Sequence, residues 1–356
     1  MTRMTRRSFL KSTAALSVAG AAAARGRAYA ATPEIVWGTN EAYGRPEFLE
    51  PFESASGTVV RTELFSDPAE VVTKLKTGGA GVHMLVDGSY HVEISHAEGV
   101  LQPIDLANVP NWSRLVPEFQ KADGLSFDGK PYGVPFAWGT DSMIYRYEDV
   151  GQDLDDLAAL FDPEFAGRIS MPNGLFESLV VGAMYLGIEK PYSMSKDQLD
   201  AVVDLLIKQK PLVRTYWNDI GDLKNLMATG EVAVAWGWQP VMEIRRDGID
   251  VRWAHPKQGE LGWYDATYLT IEATDEAKAA AEEFMSYLIG DTYGVLLGQE
   301  VGYRTASLAA IENMTPELRS ELEIENPSAF LERATWFLSP SDPAAYQAAW
   351  DRVLNA

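Results

Sequence analysis

Two periods of apolar spacing alternate along the chain. Glu34 to Trp37 and Val82 to Val86 are short continuous apolar runs, which predict buried strands. Between them, Val71, Val72 and Leu75 share one face of a helix that Asp67-Pro68 opens and Gly78-Gly79 stops. Ser195-x-x-Gln198 is a capping box leading into a helix with Leu199, Val202, Val203, Leu206 and Ile207 turned inward. Asn218 to Thr229 reads as a helix ended by Gly230, and Glu231 to Trp238 as a strand with Val232, Val234, Trp236 and Trp238 on one face. Ala277 to Leu288 is an amphipathic helix. Strands alternating with helices predict an α/β fold. The polar turn Asp87-Gly88-Ser89-Tyr90 then falls at the carboxyl end of a strand, where ligands collect in open α/β sheets.

The chain has 356 residues, enough for about two domains at roughly 150 each. No repeat, low-complexity tract or Pro-rich linker divides it, so the chain is expected to pass between two lobes more than once. Two glycine-bounded, aromatic-rich extended segments, Gly133 to Gly139 and Gly262 to Thr270, are the candidate crossings. Side chains on such hinge strands face the cleft, where a small molecule is enclosed from both sides.

The amino terminus adds a compartment. Arg6-Arg7-Ser8-Phe9-Leu10-Lys11, a mild apolar stretch from Ser12 to Ala24 and the small residues around Ala28-Tyr29-Ala30 read as an export signal over residues 1–30. The paired arginines, the alanine-rich core and Arg25 and Arg27 before the cleavage site resemble the twin-arginine type. The mature chain is therefore expected to be periplasmic and soluble. It has no cysteine, which removes disulfides, zinc thiolates and thiol catalysis. The formal net charge is −21, although the first thirty residues carry six cations and no anion. Nucleic acid and anionic membrane surfaces are poor partners for so acidic a body, and a cationic solute is the natural one.

Other chemistries find little purchase. His91 and His96 are five residues apart, roughly 140° around a helix, and cannot share a metal from one helix, so no metal or cofactor is expected. Gly78-Gly79-Ala80-Gly81 lacks the spacing of a phosphate loop, and no nucleophile elbow is present. Paired carboxylates with sugar-stacking tryptophans leave a secreted carbohydrate-active enzyme as a remote reading. The positive signal is aromatic. Trp37, Trp138, Trp236 and Trp263 each lie at or beside a predicted strand end or crossing. Trp263 and Asp265 fall on one face of a strand, setting a carboxylate beside an indole. A buried carboxylate needs a cation, and aromatic faces attract cations, so this combination describes an organic-cation pocket.

Tyr132-Gly133-Val134-Pro135-Phe136-Ala137-Trp138-Gly139-Thr140, Leu160 to Ile169, Gly230 to Trp236, Pro256 to Asp265 and Val301-Gly302-Tyr303-Arg304-Thr305 together resemble, in order and spacing, the motifs of periplasmic spermidine/putrescine-binding proteins. The resemblance spans nearly the whole mature chain. It implies a two-lobed periplasmic binding protein of type II with hinge strands between lobes of 32–138 plus 265–311 and 139–264 plus 312–356. It also implies a non-enzymatic, monomeric receptor that captures a small organic cation, a polyamine or related amine, by hinge closure and delivers it to an inner-membrane ABC permease. Carried over residue by residue, the family's ligand-binding positions fall on Trp37, Tyr43, Tyr90, Glu177, Trp236, Trp263, Asp265 and Tyr303. The chain departs from the pattern at Gly174, where a second acid is expected, and at Phe337, where a polar amide is expected. A methylated onium has no N–H donors to strand, so fewer polar partners keep a ligand of the glycine betaine or dimethylsulfoniopropionate type in play. A ligand sensor for a membrane signalling partner is a third reading.

Overall fold

In a computed structural model describing residues 33–65, 67–331 and 334–356, the alternating pattern builds two lobes on one continuous sheet. The export signal expected over 1–30 lies outside the described residues. The main path of the sheet uses β1 (Glu34–Thr39), β2 (Val59–Leu64), β3 (Met84–Gly88), β4 (Gly133–Arg146), β5 (Ile169–Pro172), β6 (Val213–Trp217), β7 (Val234–Trp238) and β8 (Glu260–Thr270). Side by side they run β2-β1-β3-β8-β4-β7-β5-β6. β1 pairs in parallel with β2 and β3 in the first lobe, and β5 pairs in parallel with β6 and β7 in the second. β4 and β8 are antiparallel to each other and to their outer neighbours.

The helix ends follow local chemistry. Helix α1 (Pro46–Ser56) ends on Gly57 in the left-handed conformation. At α2 (Pro68–Lys76) the Asp67 carboxylate accepts the Ala69 N–H at 2.9 Å. α3 (Leu175–Tyr185) starts after Gly174. α4 (Lys196–Gln209) has the reciprocal box: Ser195 N–H donates to Gln198 Oε1 at 2.9 Å, and Gln198 N–H donates to Ser195 Oγ at 3.3 Å. α5 (Ile220–Ala228) is capped by Asp219, and α6 (Asp275–Leu288) by Thr274. Several boundaries differ from the pattern: β1 runs on to Thr39, α5 is shorter than Asn218 to Thr229, α6 starts two residues before Ala277, β7 starts at Val234 and not at Glu231, and β3 runs two residues beyond Val86, because Asp87 and Gly88 pair with Ala266 and Asp265 of β8.

The crossing strands decide where the site lies. On β4, Phe136, Ala137 and Trp138 belong to the first-lobe core, whereas Met143 and Tyr145 belong to the second. On β8, Leu261 sits in the second core, and Tyr264, Ala266 and Tyr268 sit in the first. Both strands therefore change lobes over the same few residues, between Trp138 and Met143 and between Leu261 and Tyr264. They are joined there in register, Trp263 opposite Gly139 and Leu261 opposite Asp141. A third connection, Ala334–Trp336, pairs with Glu260 to Gly262.

The expected boundary at 311/312 is corrected by the packing. Met314, Leu322, Ile324 and Leu331 are buried in the first-lobe core, and only beyond Trp336 does the chain, with Phe337 and Leu338, pack on the second. Ala310 lies beside Gly294, and Met314, Leu318 and Leu322 beside Gly298, of α7 (Tyr293–Val301), so this stretch stays with the lobe that carries that helix.

Candidate functional site

Where the crossings meet the ends of the parallel strands, a hollow of about 310 Å³ opens between the lobes. Its walls are the aromatic side chains of Tyr90, Trp238, Trp263, Tyr303 and Phe337 and the carboxyls of Asp141, Glu177 and Asp265. Among the described residues no lysine or arginine lines it. Each residue arrives for a local reason. Tyr90 follows the carboxyl end of β3, and its ring lies over Gly88, where a Cβ would come within 2.5 Å of it. Trp238 is the last residue of β7, braced edge-on against Trp217 at 5.0 Å between ring centres. Trp263 of β8 lies over its register partner Gly139, where a Cβ would come within 2.4 Å of the indole. Glu177 stands in the first turn of α3, and at Gly174 a Cβ would sit 2.4 Å from its carboxyl oxygen. The glycine at 174, where the polyamine-binding pattern expects an acid, thus leaves room for the Glu177 carboxyl.

The carboxyls are held by aromatic donors. Tyr43 donates its hydroxyl to Asp265 Oδ2 at 2.5 Å, Trp263 donates Nε1–H to Asp141 Oδ1 at 3.0 Å, and Trp238 donates Nε1–H to Glu177 Oε1 at 3.1 Å. Burial pushes the Asp265 carboxyl up to about 6, against the Tyr43 hydrogen bond, with the Asp87 charge adding to the rise. Asp141 is pushed well above the usual carboxylate range, first by burial and then by Glu177, and burial raises Glu177 as well. Tyr303 packs edge-on against Trp263 at 5.1 Å, and Tyr90 against Phe337 at 5.4 Å. The third connection ties this wall down: Phe337 N–H donates to Gly262 O at 2.7 Å, Ser89 Oγ donates to Phe337 O at 2.8 Å, and Ser339 donates to Tyr90 O.

Of the eight residues expected at the site, Tyr90, Glu177, Trp263, Asp265 and Tyr303 line the hollow. Tyr43 stands behind Asp265 and reaches the hollow only through that carboxyl. Trp37 and Trp236 are placed elsewhere, a correction to the sequence expectation. Trp37 lies inside β1, fully buried against Phe136 and Phe284, with its Nε1–H on Thr267 Oγ1 at 3.1 Å. Trp236 shares the inward periodicity of Trp238 but lies one pleat deeper, fully buried in the second-lobe core. Only the residue at the strand's carboxyl end reaches the hollow. Asp141, Trp238 and Phe337 were not among the expected residues. The signal for Asp141 was present in the continuation of the first hinge strand past Gly139.

What this arrangement can do is bind. Three enclosed carboxyls without a cationic neighbour among the described residues, walled by π-faces, favour a small organic cation. Among the described residues no cluster of three or more potential ligands could hold a metal ion.

A family model for bacterial extracellular solute-binding proteins matches residues 47–321. The chain is 24% identical over 337 residues to the putrescine-binding periplasmic protein PotF of Escherichia coli, covering 87% of this chain and 88% of that protein. It is 25% identical over 300 residues to the spermidine/putrescine-binding periplasmic protein of Escherichia coli, covering 83% of each. Among solved structures, the spermidine/putrescine ABC transporter substrate-binding protein PotD of Streptococcus pneumoniae superposes with a TM-score of 0.79 at 20% identity, over 91% of this chain and 98% of that one. A putative spermidine/putrescine ABC transporter protein of Listeria monocytogenes gives 0.75 at 24% identity, over 90% and 98%.

Proposed function

The chain belongs to the family of bacterial extracellular solute-binding proteins, and from that premise we propose that it captures a polyamine or related primary amine between its lobes for an ATP-driven importer. The observation that carries this reading is the set of three carboxyls, Asp141, Glu177 and Asp265, facing one aromatic-walled hollow that no lysine or arginine lines among the described residues. A primary ammonium brings three N–H donors and forfeits several kcal/mol if it is enclosed without acceptors. Here acceptors come from both lobes, Asp265 on the first-lobe side and Glu177 on the second, which suits a ligand with an amine at each end. The aromatic walls add about 0.5 to 2 kcal/mol per desolvated contact. The names of the relatives, putrescine- and spermidine-binding, point the same way. The periplasmic setting named for those relatives, with the export signal read from the sequence, supports a mature chain working outside the inner membrane, where it would meet its permease. Contacts from both lobes favour a shut form over an open one, so capture would proceed by hinge closure, without making or breaking a bond in the ligand.

One observation favours a second ligand class: Phe337 supplies a ring where the polyamine-binding pattern has a polar amide, which suits a methylated onium. Calorimetry of the mature protein against putrescine, spermidine, choline, glycine betaine and dimethylsulfoniopropionate separates the two. Putrescine or spermidine is expected to bind most tightly. Tighter binding of a methylated onium, or no binding by any amine, would overturn the polyamine reading.

A further inference from the structure

The carboxyls of the hollow stand at fixed places on one strand ladder. Asp265 of β8 is opposite Ala137 of β4, Trp263 is opposite Gly139, and Leu261 is opposite Asp141. Directly opposed residues of an antiparallel pair share a face, as do residues two apart along a strand. Asp265, Trp263 and Asp141 therefore follow one another along the face that lines the hollow, with the indole midway. The register shift of this pair falls only beyond Asp265, so the stretch between the two carboxyls is regular. Glu177 joins the Asp141 end: its Oε1 accepts the Trp238 Nε1–H at 3.1 Å, and Trp238 is opposite Asp141 on the other side of β4. The hollow thus has one carboxyl at its first-lobe end and two at its second-lobe end.

That spacing sets a length. Four residues of antiparallel strand put the Cα atoms of Asp265 and Asp141 about 14 Å apart. Asp141 leans into the gap, since its Oδ1 accepts at 3.0 Å the Nε1–H of an indole that lies over Gly139, one pleat nearer Asp265. Asp265 is held sideways, its Oδ2 on the Tyr43 hydroxyl at 2.5 Å and its Oδ1 3.3 Å from where a Cβ at Gly88 would sit. The gap between acceptors is accordingly about 12 Å. An extended four-carbon diamine has its nitrogens about 6 Å apart. A charge-assisted hydrogen bond of about 2.8 Å at each end brings its reach to about 12 Å. The terminal nitrogens of spermidine, with their hydrogen bonds, reach about 17 Å and overrun the gap unless the chain buckles. We propose that β4 and β8 form a length gauge in which Asp141 is the specificity-determining residue, selecting a diamine with a four- or five-carbon spacer. One ammonium lies on Asp265 and the other on Asp141 and Glu177, with the methylenes across the Trp263 ring. The gauge is stiff, because both of its ends are buried on strands paired in register.

This inference rests on the amine reading of the same hollow, and one series of titrations tells their failures apart. Straight-chain terminal diamines with spacers of two to eight carbons, with butylamine and spermidine beside them, are titrated calorimetrically into the wild-type mature protein at pH 7.5. Affinity is expected to peak at four or five carbons. It should fall at least about tenfold at two and at eight, and as far for butylamine and spermidine, through loss of a charge-assisted contact. Asp141→Glu, one methylene longer, is expected to move the peak to a shorter diamine, and Asp141→Asn to flatten the series. Thermal melts check both variants, and if the asparagine variant does not fold, the glutamate variant carries this arm. Amine binding with no peak, or with a peak at any other length, overturns the gauge and leaves the amine reading standing. A peak that stays at the same diamine in the folded variants also overturns it, because Asp141 then does not set the length. Absence of binding by every amine overturns the amine reading and this inference with it.

Discussion

In the proposed receptor, Asp265 sets ligand binding against stability in one residue. Its carboxyl is raised from the ordinary aspartate range to about 6, with burial the first cause, so the folded protein holds this proton more tightly than the unfolded chain. The sign follows: ionising it costs stability, the cost is absent below the unfolded value, and it grows as pH rises through the window up to about 6. Asp265→Asn is therefore expected to raise the melting temperature at pH 8, by an amount equivalent to about 1–3 kcal/mol, and to leave it nearly unchanged at pH 4. The same variant should weaken putrescine binding about tenfold to a hundredfold by losing a charge-assisted contact. Thermal melts at the two pH values and a titration check both halves. Asp265 and Trp263 were legible in the sequence because a strand's period of two sets them side by side. Trp238 was not separable from Trp236 on that ground: both obey the same period, and only the point at which β7 ends distinguishes a cleft wall from a core filler.

Among the elements, the crossing strands carry the most. Gly139 and Trp263 are opposite one another on β4 and β8, and the indole lies in the space a side chain at 139 would occupy. Gly139→Ala should push the ring aside, breaking its Nε1–H bond to Asp141 and removing a wall of the hollow. The expected result is at least about a tenfold loss of putrescine affinity with about 1–3 kcal/mol of destabilisation, read by titration and denaturant melts; unchanged affinity would contradict the role given to this pair. Caps, breakers and amphipathic faces were readable, since Asp67 and Ser195 act within a few residues of their own helices. The third connection was not. Ala334–Trp336 is three residues long and earns its place only by pairing with Glu260 to Gly262, some seventy residues earlier, which no local pattern encodes. Phe337 was accordingly missed as a wall of the hollow.

For the molecule as a whole, ion pairs at the lobe junction add to the crossings. His255, in the loop after Trp253, lies 2.8 Å from Glu260 Oε1 and 3.3 Å from Glu323 Oε1, and Glu323 sits between two residues of the first-lobe core. Hydrogen bonding to Glu260, then to Glu323, pushes the imidazole up to about 9 from the ordinary histidine value of 6.5. Its contribution is thus fully present below about 6.5 and is lost as pH rises through about 9. His255→Gln should lower the melting temperature at pH 6.5, with the deficit closing by pH 10; a deficit independent of pH would show that packing, not charge, holds the junction. The two-lobed plan itself was legible from glycine-bounded aromatic crossings and the lack of a linker, whereas the boundary near 311 was not, because the covering contacts of 314 to 331 are tertiary. A crystal structure of the complex with putrescine is the most direct test. One ligand nitrogen is expected within about 3.2 Å of Asp265 and the other against Asp141 and Glu177, with Trp238, Trp263 and Tyr303 around the chain. A ligand seated instead in the larger hollow between Gln239–Arg246 and Gly298–Glu323 would contradict it.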